Sequence, residues 1–155
     1  MKNQIGLDTA QAQELATKLN LLLANYQMFY INARGFHWNI QGEKFFELHA
    51  KFEELYTDAL TKVDEIAERI LTLGHRPLHS FTDYLRTATI QEATNVSDGT
   101  TAVQTVLQNF QVLIGLERET LTLAAEADDE GTSALMSDYI RQQEKEVWMY
   151  NAYLG

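Results

Sequence analysis

HWNIQGEKFFELHAKFEELYTDALTKVDEIAERI, residues 37–70, is the stretch whose reading decides the fold. From Phe45 to Leu73 there is no Gly or Pro, and apolar residues recur at helical spacing. Advancing ~100° per residue, Phe52, Leu55, Tyr56, Ala59, Val63, Ile66 and Ile70 fall in one apolar arc. Lys51, Glu54, Asp58, Lys62, Glu65 and Arg69 point the other way. His49, Glu53, Asp64 and Glu68 make a third stripe, along the edge of the apolar face.

Charges on a half-buried flank are costly unless they are paired or hold a metal. The stripe therefore suggests a metal site, but its length is a difficulty. His49 and Asp64 lie about 22 Å apart along a helix rising 1.5 Å per residue, too far for one ion to touch both. Two copies packed antiparallel about a two-fold axis remove the difficulty. The His49/Glu53 end of one then meets the Asp64/Glu68 end of the other, giving two equivalent sites. Ala59, near the stripe's centre, is small enough for close approach. The alternative is a solvated acidic edge on an ordinary amphipathic helix.

Working outward, 155 residues fit a single domain spanning 1–155, with ample apolar content for a core. One Pro and eight Gly favour an all-α protein. The absence of Cys excludes disulfides, thiolate metal sites and cysteine nucleophiles. Neither an apolar leader core at Met1–Leu7 nor a membrane-length apolar run is present, so a cytoplasmic protein without membrane association is expected. A net charge of −10 argues against nucleic acid and anionic membranes and is compatible with attracting cations.

Asp8 with Gln11 resembles a capping box opening a first helix that continues to about Trp38. Its core positions include Ala12, Leu15, Leu19, Leu22, Leu23, Tyr26, Phe29 and Tyr30. Gly42 closes it, and a short link makes the second helix, from Phe45 to Leu73, its antiparallel neighbour. The 24-residue connection over 74–97 is long unless it contains structure. Ser80 to Asp83 predicts a short helix over about Thr82–Ala88 within it. A third long helix starts at Ser97 or Asp98, Ala127–Gly131 is a turn, and a fourth runs from about Thr132 to Tyr153. Leu135, Met136, Tyr139, Val147, Trp148 and Tyr150 are its core candidates. Four long helices joined short–long–short give a four-helix bundle with one crossover, the ferritin-like topology.

A di-iron site inside such a bundle needs a Glu-x-x-His motif on each of two helices. No Glu here has a His three residues later, and no His lies beyond position 79. Any metal site must come from the first two helices, which brings in His37, twelve residues before His49. His37, His49 and Glu53 of one chain with Asp64 and Glu68 of a second make a mixed nitrogen and oxygen set. Such a set suits Fe(II) or Mn(II), and also Zn(II). His75 and His79, beside Pro77, read as solvated or capping. Trp38 reads as core, or beside a redox-active ion as a residue oxidised in place of bulk protein.

The run from His37 to Ile70 resembles the signature of the Dps family, the mini-ferritins. The likeness extends through RILTLGHRP to the terminal VWMYNAYLG. It implies an all-α, ferritin-like four-helix bundle with a short helix in the long crossover between helices two and three. It also implies a hollow homododecamer with a ferroxidase site at each two-fold interface and a ferric mineral inside. His37, His49, Asp64 and Glu68 match the family's ligand spacing, and Glu53 stands where the family often has Asp. Two iron ions per site are implied as Fe(II)/Fe(III), with Zn or Mn able to substitute, and hydrogen peroxide as the preferred oxidant. Many DNA-binding members carry a Lys/Arg-rich tail, whereas Met1–Thr9 holds only Lys2, so DNA is not expected as a partner. Ala134 stands where members place a pore Asp, with Glu126, Asp128, Asp129, Glu130 and Asp138 nearby. Iron storage and detoxification is the function expected; a nucleoid-binding protein and a helical interaction scaffold are the rivals.

Overall fold

Asp8 begins the bundle. In the computed structural model, which describes all residues 1–155, its side chain accepts from Gln11 N at 3.0 Å and opens α1, Thr9–Asn39. A carboxylate at this position satisfies one of the amide donors that every helix start leaves unpaired. The same device recurs three times. Ser80 accepts from Asp83 N to open the short α3, Phe81–Thr87. Asp98 accepts from Thr101 N to open α4, Gly99–Glu126, and Asp129 accepts from Thr132 N to open α5, Glu130–Leu154. Only α2, Phe45–Thr72, starts without a side-chain cap. Gly74, with φ +90°, supplies the left-handed residue that ends it. The fold is all-α, with four long helices and α3 in the crossover.

Helix α1 packs against α2, α4 and α3, and α4 packs against α5. The core is continuous along α1 through Leu15, Leu19, Leu22, Leu23, Tyr26, Phe29 and Phe36, which meet Phe52, Ile66, Ile70, Phe110 and Leu113 of the neighbouring helices.

The crossover hangs on three asparagines of α1. Asn20 Oδ1 accepts from Leu78 N at 2.8 Å. Asn25 Oδ1 accepts from Thr89 N and Ile90 N at 3.0 and 2.8 Å. Asn32 Oδ1 accepts from Ala93 N, and its amide donates to Gln91 O and Asn109 Oδ1. A chain crossing the bundle without regular structure must have its buried backbone groups satisfied by side chains, and α1 provides them.

Three expectations are corrected. Helix α5 starts at Glu130 rather than Thr132, because Asp129 caps it and shortens the preceding turn. Trp148, expected in the core, is 65% exposed, since the α5 positions turned inward are Met136, Tyr139, Ile140, Gln143 and Tyr150. Lys62, expected to point outward, is buried and pairs with Asp58 and Gln142. A helix inside a bundle has two neighbours, and the face of α2 opposite its apolar arc meets α5. There Glu65 accepts from Tyr139, and Arg69 donates to Asp129 and Thr132.

The interior is not wholly apolar. Tyr26, Glu117 and Gln143, all buried, join in a ring of hydrogen bonds. With its amide nitrogen turned toward Glu117, Gln143 donates to Oε1 at 2.7 Å. Burial pushes the Glu117 carboxyl up to about 8, against the pull of its hydrogen bonds and of Lys62.

Candidate metal centre

The close of α1 and the opening of α2 set two imidazoles face to face. The rings of His37 and His49 stack with centroids 3.8 Å apart and planes 13° from parallel. Each ring is fixed by the other residue's backbone: Nδ1 of His37 lies 2.7 Å from the carbonyl oxygen of His49, and Nδ1 of His49 lies 2.7 Å from that of His37. A carbonyl oxygen only accepts, so both Nδ1 atoms carry the proton and donate. In the neutral imidazole this leaves Nε2 with the lone pair, the tautomer a metal ligand requires. The reciprocal pair also ties the two helix ends together. Phe45 covers the outer face of His49 at 4.9 Å, and Tyr56 meets His37 edge-on at 5.3 Å.

Glu53, one turn after His49, brings Oε1 to 3.7 Å from His37 Nε2, with its side chain largely exposed. His37 thus has both the His49 ring and the Glu53 carboxylate beside it. Asp64 and Glu68 are not. They lie exposed farther along α2, and within one chain no three His, Asp or Glu side chains converge on a metal position. Trp38 is 59% exposed, next to His37 in sequence but outside the core.

Arg34 was not singled out from the sequence, yet it organises the surroundings. Its guanidinium lies over the rings of Trp38, Tyr56 and Tyr30 at 4.8, 5.3 and 5.8 Å from their centroids. The four-residue spacing of Tyr30, Arg34 and Trp38 on α1 was the available signal.

The ferritin-like domain model matches residues 16–155. A Dps protein of Vibrio cholerae O1, described as a member of a broad superfamily of ferritin-like diiron-carboxylate proteins, superposes with a TM-score of 0.98. It is 62% identical, covering 99% of this chain and 97% of its own. The chain belongs to the Dps family. Among curated relatives, the DNA protection during starvation protein of Porphyromonas gingivalis is 41% identical over 96% of this chain and 93% of its own. The protein of that name from Brevibacillus brevis is 38% identical over 96% and 99%. Dps membership supports an iron-related function, and the diiron-carboxylate superfamily is consistent with an oxidoreductase role.

The expectation that DNA is not a partner is overturned by these relatives, named for DNA protection and alike over nearly the whole chain. Net charge is a sum over all residues and carries no information about where the basic ones lie on an assembled surface. It was too coarse a quantity for that exclusion. No helix is long and apolar enough to cross a membrane.

Proposed function

We propose that this protein is a ferroxidase and iron store that oxidises Fe(II) to Fe(III), preferably with hydrogen peroxide. Two iron ions bind per site, shared across a two-fold interface. A hollow homododecamer in the cytoplasm keeps the ferric product as mineral. The observation that carries this reading is the reciprocal histidine lock, which turns Nδ1 of both rings to backbone carbonyls and sets His37 Nε2 beside Glu53.

In this reading His37 and His49 would bind Fe(II) through Nε2, and Glu53 would supply a carboxylate oxygen beside them. Asp64 and Glu68 of the partner subunit complete the set, since a single chain gathers only part of it. Zn(II) or Mn(II) suits the same donors. Each of two Fe(II) ions gives one electron, and H2O2 takes both with two protons to become two waters. Pairing the electrons avoids cleavage of the peroxide to hydroxyl radical. Carboxylate oxygens favour the Fe(III) product, and Trp38 is an oxidisable residue beside the site. Removing Fe(II) and peroxide together protects DNA, in keeping with the names of the relatives.

The test compares Fe(II) oxidation by H2O2 and by O2 on protein whose assembly mass is measured by light scattering. Faster oxidation with H2O2 and a mass near twelve subunits are expected. Plasmid nicking by Fe(II) and H2O2 should fall when the assembly is added. Assembled protein that oxidises iron no faster than buffer refutes the reading.

A further inference from the structure

Arg34 is a cation without a counter-charge. Arg69, Arg86, Arg118 and Arg141 each meet a carboxylate within 4.0 Å. Arg76 has none but is exposed, where water screens its charge. Arg34 is half-buried, and no carboxylate of its own chain lies within ion-pairing distance. Its Nη1 donates to the Tyr30 hydroxyl. Its Nε is buried without a hydrogen-bond partner, and Nη2 makes no hydrogen bond within the chain. Nε and Nη2 form the edge of a guanidinium that grips a carboxylate through two parallel hydrogen bonds. The rings of Trp38, Tyr56 and Tyr30 offset only part of the charge, since a ring face attracts a cation less strongly than a carboxylate does.

The position of Arg34 says where the missing carboxylate comes from. It precedes His37 by three residues on α1 and lies over Tyr56, which follows Glu53 by three on α2. Side chains at that spacing are neighbours on a helix surface. The cation is therefore within about one helical turn of both His37 and Glu53, on the face where Trp38 is exposed. On the ferroxidase reading, antiparallel α2 helices set Glu53 of one chain opposite the partner subunit's Asp64, which brings that acid level with Arg34. With no metal between them, two carboxylates so placed repel one another.

We propose that Arg34 is the standing cation of the shared site: it pairs with the partner subunit's Asp64 while iron is absent and yields that carboxylate when iron binds. The proposal rests on the ferroxidase reading for the approach of the two chains. Arg34 is a positioning residue and touches neither iron nor peroxide. Its ion pair holds the metal-free interface together, and iron must break that pair to load. Linkage fixes both signs. An interaction present only in the metal-free state stabilises that state and weakens metal binding by the same factor.

Zn(II), which suits the same donors and does not change oxidation state, is the probe. Chelator-treated assembly is dissociated in urea, and zinc binding is followed by calorimetry. Arg34→Met keeps an unbranched side chain over the rings but loses the charge. It should lower the dissociation midpoint of the metal-free assembly and bind zinc about tenfold more tightly. In an Asp64→Asn background the same substitution should leave the midpoint unchanged. Arg34→Lys retains the charge and should bind zinc like the wild type. An Arg34→Met chain that does not assemble without metal should assemble with zinc. A midpoint lowered equally in both backgrounds overturns the proposal, because packing on the three rings then accounts for the loss. Zinc binding that is unchanged or weaker in Arg34→Met overturns it too, as does a chain that assembles in neither state. If the coupling and the tighter zinc binding are found but the wild type oxidises no Fe(II), the ion pair stands and the ferroxidase reading alone falls.

Discussion

Two inactive variants should restore each other's activity when they assemble together. His49→Ala removes a ligand at one end of α2, and Asp64→Ala removes one about 22 Å away at 1.5 Å per residue. One ion cannot touch both residues of one chain, so a complete site draws them from two copies. In an assembly of either variant alone every site lacks one ligand, and oxidation should be weak. In a dimer holding one copy of each variant, one site takes both mutated positions and loses two ligands. The other takes both intact positions and is complete. Random pairing of equal amounts makes about half the dimers mixed, so about a quarter of all sites are whole under two-fold symmetry. Co-expression with different tags, purification on both tags in sequence, and H2O2-driven Fe(II) oxidation read this directly. Activity near a quarter of wild type is expected. Activity no higher than the parental average refutes ligand sharing between chains.

A folded monomer, obtained by dilution or an interface substitution, should show no ferroxidase activity, and stopped-flow oxidation on monomer of verified mass checks this. Asn25→Ala strips the acceptor from Thr89 N and from the buried Ile90 N. At roughly 1–3 kcal/mol for an unsatisfied buried group, and Ile90 N being the one buried amide, a loss of about 1–3 kcal/mol is expected in urea unfolding; a change under ~0.5 kcal/mol would show the crossover holds without it. Glu117, raised from 4.5 to about 8, binds its proton more tightly folded than unfolded, so its contribution to stability falls as pH rises between those values. Glu117→Gln should flatten that part of the stability–pH curve and gain relative to wild type above pH 8. Parallel curves for the two proteins would refute the assignment.

Much of this protein was legible without coordinates because helices advertise themselves locally. Asp8, Ser80 and Asp98 are short-range signals three residues from the amides they cap, and each opened a helix where expected. The period of 3.6 residues placed Phe52, Ile66 and Ile70 inward, and chain arithmetic alone kept His49 and Asp64 off the same ion. The spacing of His37 and His49 across a short turn was likewise enough to bring the two residues to one edge.

Tertiary structure decided what periodicity leaves open. A helical wheel gives the angle at which a side chain leaves its own axis, but not which neighbour waits there. Hence Lys62 read as solvent-facing although α5 lies against it, and Trp148 read as core on a flank that no helix covers. The hold of Asn25 on Ile90 spans 65 residues, and the approach of Tyr26 to Tyr139 and Glu117 spans still more. Such contacts depend on how the crossover returns across the bundle, a global property with no local trace in composition or pattern. The fixed tautomers of the two histidines belong to the same class. Residue type says that an imidazole can bind a metal, whereas only the carbonyl opposite each Nδ1 says which nitrogen is left free to do so.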